Sequence, residues 1–128
     1  MVPMRLAVVG SSVTRLCFDH ALTILTSSNY EFRFETTSTF DLAGAGPVAF
    51  EPESPSEVAA KLLMLLDMEV TNAVADDSGF LRLQFGKNAE IAVGPHDEYE
   101  AWTMSGPDGE RVICKPGGGI ATWKLTDS

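Results

Sequence analysis

Residues 13–34 read VTRLCFDHALTILTSSNYEFRF, and residues 70–93 read VTNAVADDSGFLRLQFGKNAEIAV. Val13-Thr14 through Asp19 aligns with Val70-Thr71 through Asp76. After the two extra residues Ser78-Gly79, Leu22 falls on Leu81, Ile24 on Leu83, Asn29 on Asn88 and Glu31 on Glu90. Phe32 and Phe34 then fall on Ile91 and Val93. The alternation is plainest around residue 33, with Phe32 and Phe34 on one side and Glu31, Arg33 and Glu35 on the other. Period two marks a half-buried strand, because successive side chains on a strand point to opposite faces. Ser27-Ser28-Asn29 supplies turn chemistry. Each copy therefore reads strand, turn, strand, turn, strand: a weak internal repeat. Two copies are too few for a solenoid. The expected fold is α+β in one domain, residues 1–128. Two antiparallel meanders are linked by one buried helix and followed by a C-terminal hairpin.

The linking helix has its own signature. Ser54-Pro55-Ser56-Glu57 reads as a capping box with Pro at the first helical position, which predicts a helix over about residues 55–67. Val58, Leu62, Leu65 and Leu66 share one face, Ala59 and Leu63 widen it, and Lys61 is one of few polar positions. Such a helix is buried on more than one side, between layers or at a subunit interface, so Leu62 and Leu66 are expected inside. Residues 37–53, with Gly44, Gly46, Pro47 and Pro52, read as the loosest part of the chain. Residues 4–9 read as a strand rather than a secretion signal, since the apolar run is short.

The last quarter concentrates both tryptophans, Tyr99, His96, Cys114 and five of the eleven glycines. Pro107-Asp108-Gly109 reads as a tight turn. Residues 111–115 and 120–125 read as paired strands, with Pro116 ending the first and Gly117-Gly118-Gly119 turning the chain. Before this hairpin lies an acidic-aromatic loop, His96-Asp97-Glu98-Tyr99-Glu100-Ala101-Trp102. Tyr99-Glu100-Ala101-Trp102, then Gly106-Pro107-Asp108-Gly109, then the V-C-x-P-G-G-G-x-A-x-W pattern from Val112 to Trp123 carry a resemblance. In these motifs, and over nearly its full length, the chain resembles a family of small bacterial domains of unknown function (domain of unknown function 6188). The resemblance implies no settled activity.

With 128 residues the chain can bury a core without disulfides or metals. No run approaches the roughly 18 to 20 apolar residues of a membrane helix. The formal charge is -9, with 7 acidic against 4 basic residues up to residue 64 and 11 against 5 beyond it. That sign repels phosphate backbones, so nucleic acid is disfavoured and a basic protein partner favoured. Cys17 and Cys114 lie in apolar contexts without a C-x-x-C, which suits free thiols in a cytoplasmic protein.

No phosphate loop, dinucleotide fingerprint, nucleophile elbow or zinc-protease motif is present. His96 with Asp97, Glu98 and Glu100 offers metal-binding chemistry, but adjacent residues rarely converge on one ion, and a solvated acidic loop is the plainer reading. His20 beside Asp19 reads as a turn residue. The glycine run from Gly117 could cradle an anion through its N–H groups or simply turn a hairpin. Tyr99 and Trp102 serve either as interface anchors or as core. The function expected is a non-enzymatic protein-binding module without metal or cofactor. Its concrete form is an immunity- or inhibitor-type protein meeting a basic partner through Asp97, Glu98, Tyr99, Glu100 and Trp102. Two other classes remain: an enzyme or small-ligand binder with a cleft built from His20, His96 and carboxylates, and a structural homodimer through the helix near Leu62 and Leu66.

Overall fold

The structure, a computed structural model, describes residues 4–124. Its strands are β1 (Met4–Arg5), β2 (Val13–Asp19), β3 (Ala21–Thr26), β4 (Glu31–Phe34), β5 (Ser38–Leu42) and β6 (Val48–Phe50). The helix α1 (Ala59–Leu62) and a 3₁₀ turn (Leu63–Leu65) follow. Then come β7 (Val70–Ala75), β8 (Leu81–Phe85), β9 (Ala89–Val93), β10 (Trp102–Ser105), β11 (Arg111–Cys114) and β12 (Ile120–Trp123). They form two antiparallel six-stranded sheets, ordered β1-β7-β8-β9-β5-β6 and β12-β11-β10-β4-β3-β2. Among the described residues the fold is thus mostly antiparallel β with one short α-helix, and the expected α+β balance shifts toward strand.

Alternation decides which side chains leave water. Leu22, Ile24, Phe32 and Phe34 from one sheet and Leu81, Leu83, Ile91 and Val93 from the other enter a single apolar cluster. Within it they sit opposite one another, Leu22 against Phe34 and Ile24 against Phe32, Leu81 against Val93 and Leu83 against Ile91. Burying each such side chain is worth about 1.5–3 kcal/mol.

The repeat holds at the level of register. Val13 faces Thr26 and Val70 faces Phe85, and each first strand shifts register just afterwards, between Val13 and Arg15 and between Val70 and Asn72. The correspondence also extends beyond the three strands expected. Phe34 pairs with Trp102 and Phe32 with Met104, while Val93 pairs with Ser38 and Ile91 with Phe40. Met104 then pairs with Val112, and Phe40 with Val48. Each half contributes a three-stranded meander to its own sheet and sends its next two strands into the sheet of the other.

This exchange corrects the reading of residues 37–53 as loose: they hold β5 and β6. The inward positions of β5 are Ser38 and Phe40 and that of β6 is Phe50, all buried, so in β5 the apolar alternation is half silent in the sequence. β10 was likewise unexpected, and residues 4–9 form a strand only over Met4–Arg5, although Leu6 and Val8 are buried. The hairpin of β11 and β12 is present, Arg111 facing Trp123 and Cys114 facing Ile120. Leu125, the expected end of its second strand, and residues 1–3 lie outside the described residues.

The helix is shorter than its sequence suggests. Residues 55–58 only turn, the N–H groups of Val58 and Ala59 both meeting the Pro55 carbonyl. Val58 is the N-cap, without a side-chain cap, so the box of Ser54 and Glu57 does not form. At the other end Leu66 is extended and Asp67 has a φ of 69°. The cause is tertiary: the Asp67 N–H donates to the Val13 carbonyl and the Val13 N–H to Met68, which draws the chain out of helical form. One face survives, Val58, Leu62 and Leu65, all buried; Leu63, Met64 and Leu66 are exposed. Leu66, expected inside, is 41% exposed.

At the end of the sheets reached by the β3–β4 turn, Tyr30 is buried and its hydroxyl donates to Glu110 Oε2 at 2.9 Å. A Cβ on Gly106 would stand 2.6 Å from the Tyr30 ring, so only glycine admits the ring there. Burial first, then the bond and charge of Glu110, push the phenol up to about 12.

Leu62→Ala and Leu65→Ala should each cost about 2–5 kcal/mol in urea melts, and Leu66→Ala no more than about 1 kcal/mol. Because folding raises the Tyr30 pKa from 10.0 to about 12, its contribution is complete below pH 10 and is lost as pH rises toward 12. Urea midpoints should therefore fall over that window, and the fall should be smaller in Tyr30→Phe.

Candidate functional site

The opposite end of the molecule gathers three connections: residues 76–80 between β7 and β8, residues 94–101 between β9 and β10, and residues 115–119 between β11 and β12. Trp102 fixes them to one another. Its side chain is fully buried, and its indole N–H donates to the Gly79 carbonyl at 2.8 Å. Gly79 has a φ of 99°, and a Cβ there would lie 2.8 Å from Cys114 Sγ. Tryptophan, glycine and cysteine thus interlock where the two sheets close.

The glycine run is spent in the same closure. The N–H of Gly117 donates to His96, that of Gly118 to Lys115 and that of Gly119 to Ser78, each to a carbonyl. No donor of the run is left for an anion, so the cradle weighed from the sequence does not form. Asp76 organises the neighbouring turn, its Oδ1 accepting from the Ser78 hydroxyl and from the N–H groups of Ser78 and Phe80. These bonds, the Ser78 hydroxyl foremost, hold its carboxyl below the usual range against the opposing effect of burial.

On this base stands the acidic-aromatic loop. The His96 and Tyr99 rings stack with centroids 3.9 Å apart and 16° between planes. Glu98 donates its N–H to His96 Nδ1 at 3.0 Å, which leaves the ring proton of neutral His96 on Nε2. Asp97, Glu98 and Glu100 are exposed, and Tyr99 is 43% exposed. Among the described residues the ion pairs are Arg33–Glu35 and Arg82–Glu90, so none of the loop carboxylates is in one.

Of the five expected contact residues, Asp97, Glu98, Tyr99 and Glu100 therefore stand together at the surface. Trp102 does not: it is core, because its register partner Phe34 is fully buried and its polar atom is satisfied inside. The alternative cleft of His20 and His96 is not assembled. His20 forms the exposed β2–β3 turn with a φ of 52°, and β4 lies between that hairpin and β10. Among the described residues no three His, Cys, Asp or Glu side chains are grouped to hold a metal. Cys114 is buried, and burial raises its thiol pKa, which disfavours a nucleophilic thiolate. Cys17 is half-exposed, and both thiols are free.

A family described as "Family of unknown function (DUF6188)" matches residues 4–124. The chain belongs to this family. Its description names no reaction, ligand or partner, so DUF6188 membership leaves function to the geometry. No curated protein and no solved structure matches the chain at a significant level. Among the described residues no helix is long and apolar enough to cross a membrane.

What the sequence reading missed here is Phe80, 37% exposed and packed beside Gly94 at the start of the loop. Its signal was present in the extra residues that break the repeat at Ser78-Gly79. The placement of Trp102 can be checked by fluorescence. Trp123 is 49% exposed, so Trp123→Phe should leave one blue-shifted emission resistant to acrylamide. Trp102→Ala should cost about 3–5 kcal/mol of stability.

Proposed function

We propose that this chain is a non-enzymatic protein-binding module, of the immunity or inhibitor type, that engages a basic partner through Asp97, Glu98, Tyr99 and Glu100. The observation that supports this reading is a difference between two equivalent crossovers. From β4 to β5 the chain changes sheets in three residues, 35–37, whereas from β9 to β10 it takes eight, 94–101. Three residues suffice for the architecture. The surplus in the second crossover is the acidic-aromatic segment. Long loops that the scaffold does not require are where binding residues concentrate.

The chemistry of the segment suits recognition. Three carboxylates without cations attract a basic surface from a distance and speed encounter. A tyrosine held by ring stacking supplies apolar contact at little cost in side-chain entropy. Trp102 takes the role of foundation, not anchor. A homodimer through the helix would have to use Leu63, Met64 and Leu66, since Leu62 faces the core.

The test compares the wild-type chain with Asp97→Asn/Glu98→Gln/Glu100→Gln and with Tyr99→Ala as bait for proteins of its source cell. All of these positions are exposed, so melting temperatures should stay within a few degrees. The expected outcome is a basic protein retained by the wild type in low salt and released by high salt. Its association should slow with the triple variant, whose salt dependence should flatten, and Tyr99→Ala should shorten its residence. A partner that binds the triple variant at the wild-type rate in low salt would exclude the loop as the steering surface. Failure of the wild type to retain any basic protein would count against the reading as a whole.

A further inference from the structure

The two halves differ at the outer edge of their first strands. In one sheet β7 is covered by β1: Met4 faces Ala75, Arg5 faces Val74, and the Leu6 N–H donates to the Ala73 carbonyl. Ala73 and Ala75 are accordingly buried. Their counterparts on β2 are Leu16 and Phe18, because Leu16 faces Ile24 as Ala73 faces Leu83, and Phe18 faces Leu22 as Ala75 faces Leu81. β2 ends its sheet. Beyond the contacts that Ser11, Ser12 and Val13 make with residues 67–70, no strand among the described residues lies along its outer side. Leu16 and Phe18 share the face of the fully buried Ile24 and Leu22, yet Leu16 is half-exposed and Phe18 is 38% exposed. Apolar side chains on the core-facing side of an uncovered edge are a template for another strand.

The backbone polarity of that edge can be read from its neighbours. The Thr26 N–H donates to the Tyr30 carbonyl, on the side of β4. Leu25, one residue earlier, therefore turns its backbone toward β2, and the Thr14 hydroxyl does reach the Leu25 carbonyl at 3.3 Å. Its partner Arg15 faces β3, as do Cys17 and Asp19. Leu16 and Phe18 aim their N–H and C=O groups outward, as the Ala73 carbonyl does toward β1.

We propose that the open edge of β2 is a homodimer interface, where a second copy of the chain adds its own β2 antiparallel about a two-fold axis through Cys17. In that register Leu16 and Phe18 of one copy form hydrogen-bonded pairs with Phe18 and Leu16 of the other and cover one another on the core-facing side. On the outer face Arg15 stands opposite Asp19 of the second copy, twice, and the two Cys17 residues meet at the axis. In an antiparallel pair, opposed residues either both face one another with their backbones or both face away. Two-fold axes falling between residues are therefore excluded. An axis through Leu16 sets Arg15 against Cys17, and one through Phe18 sets Cys17 against Asp19. The Cys17 axis alone among these three matches both charges and both large apolar groups. The second copy takes in this sheet the place that β1 takes in the other.

The arrangement has a consequence for the loop. Phe34 pairs with both Leu22 and Trp102, so the acidic end lies at the same end of the sheet as the β2–β3 turn. Antiparallel β2 strands then point the two acidic loops in opposite directions. The dimer does not depend on what those loops bind.

Sedimentation of the wild-type chain over a concentration series is the first measurement, and a reversible monomer–dimer equilibrium is expected. Arg15→Asp and Asp19→Arg each set like charges opposite one another twice and should weaken the dimer about tenfold. Together they restore opposite charges and should bring the affinity back near that of the wild type. Met64→Glu, at an exposed position of the 3₁₀ turn, should change nothing. Register is read with diamide, which takes two electrons and two protons from two thiols as they form a disulfide. Opposed non-hydrogen-bonded residues have Cα atoms about 4.5 Å apart, inside the roughly 4.4–6.8 Å that a disulfide spans. The wild type should cross-link to a dimer, and Cys17→Ser should not. A chain that stays monomeric up to its solubility limit overturns the proposal. So does a dimer that Met64→Glu dissolves, or one that the charge reversals leave unchanged.

Discussion

The structure depends on the pairing of each half's third strand with a strand from the other half. Phe34 meets Trp102 across β4 and β10, and Val93 meets Ser38 across β9 and β5. Without these partners, β4 and β9 would expose a row of N–H and C=O groups, and unpaired buried backbone is costly. Neither meander can close its own sheet, because the strands that follow each one run in the opposite sheet. The two halves are therefore bound by main-chain ladders as well as by a shared core. Such contacts join residues far apart in sequence, which slows folding relative to a chain of local hairpins.

Against that near-symmetry, the places where the halves differ are informative. Ser38 and Trp102 occupy equivalent positions, and only the tryptophan reaches across to the other sheet, at Gly79. The turn at His20 is tight, whereas its counterpart at residues 76–80 is two residues longer and carries the carbonyls that receive Trp102 and Gly119. One crossover is short and the other long. The differences cluster at one end, where sheet closure, the Asp76 turn and the glycine hairpin make a firm platform beneath an exposed loop. Binding groups on a supported loop lose less entropy on association than those on a loose one.

The parts of the fold legible in the sequence were those in which alternation involves large side chains. Phe32 and Phe34, Leu81 and Leu83, Ile91 and Val93 each declare a strand and its inward face. The repeat was legible because the same facing pairs recur in order. β5 was hidden, since an inward serine is silent to any hydrophobic pattern and Ser38 is buried through pairing, not through apolarity; β6 was hidden because its three residues turn only Phe50 inward. The helix misled for the opposite reason. Its leucines outnumber the inward positions that seven helical residues provide, and the pull of Val13 on Asp67 and Met68 leaves Leu63, Met64 and Leu66 outside. At the candidate site, the carboxylates were legible as a surface loop, whereas Tyr99 and Trp102 read either as anchors or as core. The fate of Trp102 depends on Phe34 and Gly79, both distant in sequence.

The charge of the chain and the geometry of the loop bear on each other through desolvation. Asp97, Glu98 and Glu100 crowd like charges into one segment, which costs the free protein some repulsion and would cost far more if any of them were buried. The carboxylates stay in water, while the His96–Tyr99 stack and the Glu98 N–H bond to His96 hold the backbone. A segment arranged in this way gains little within its own fold from being acidic. On the proposed reading its charge becomes favourable when a cationic surface approaches, and the stacked tyrosine offers that surface an apolar contact.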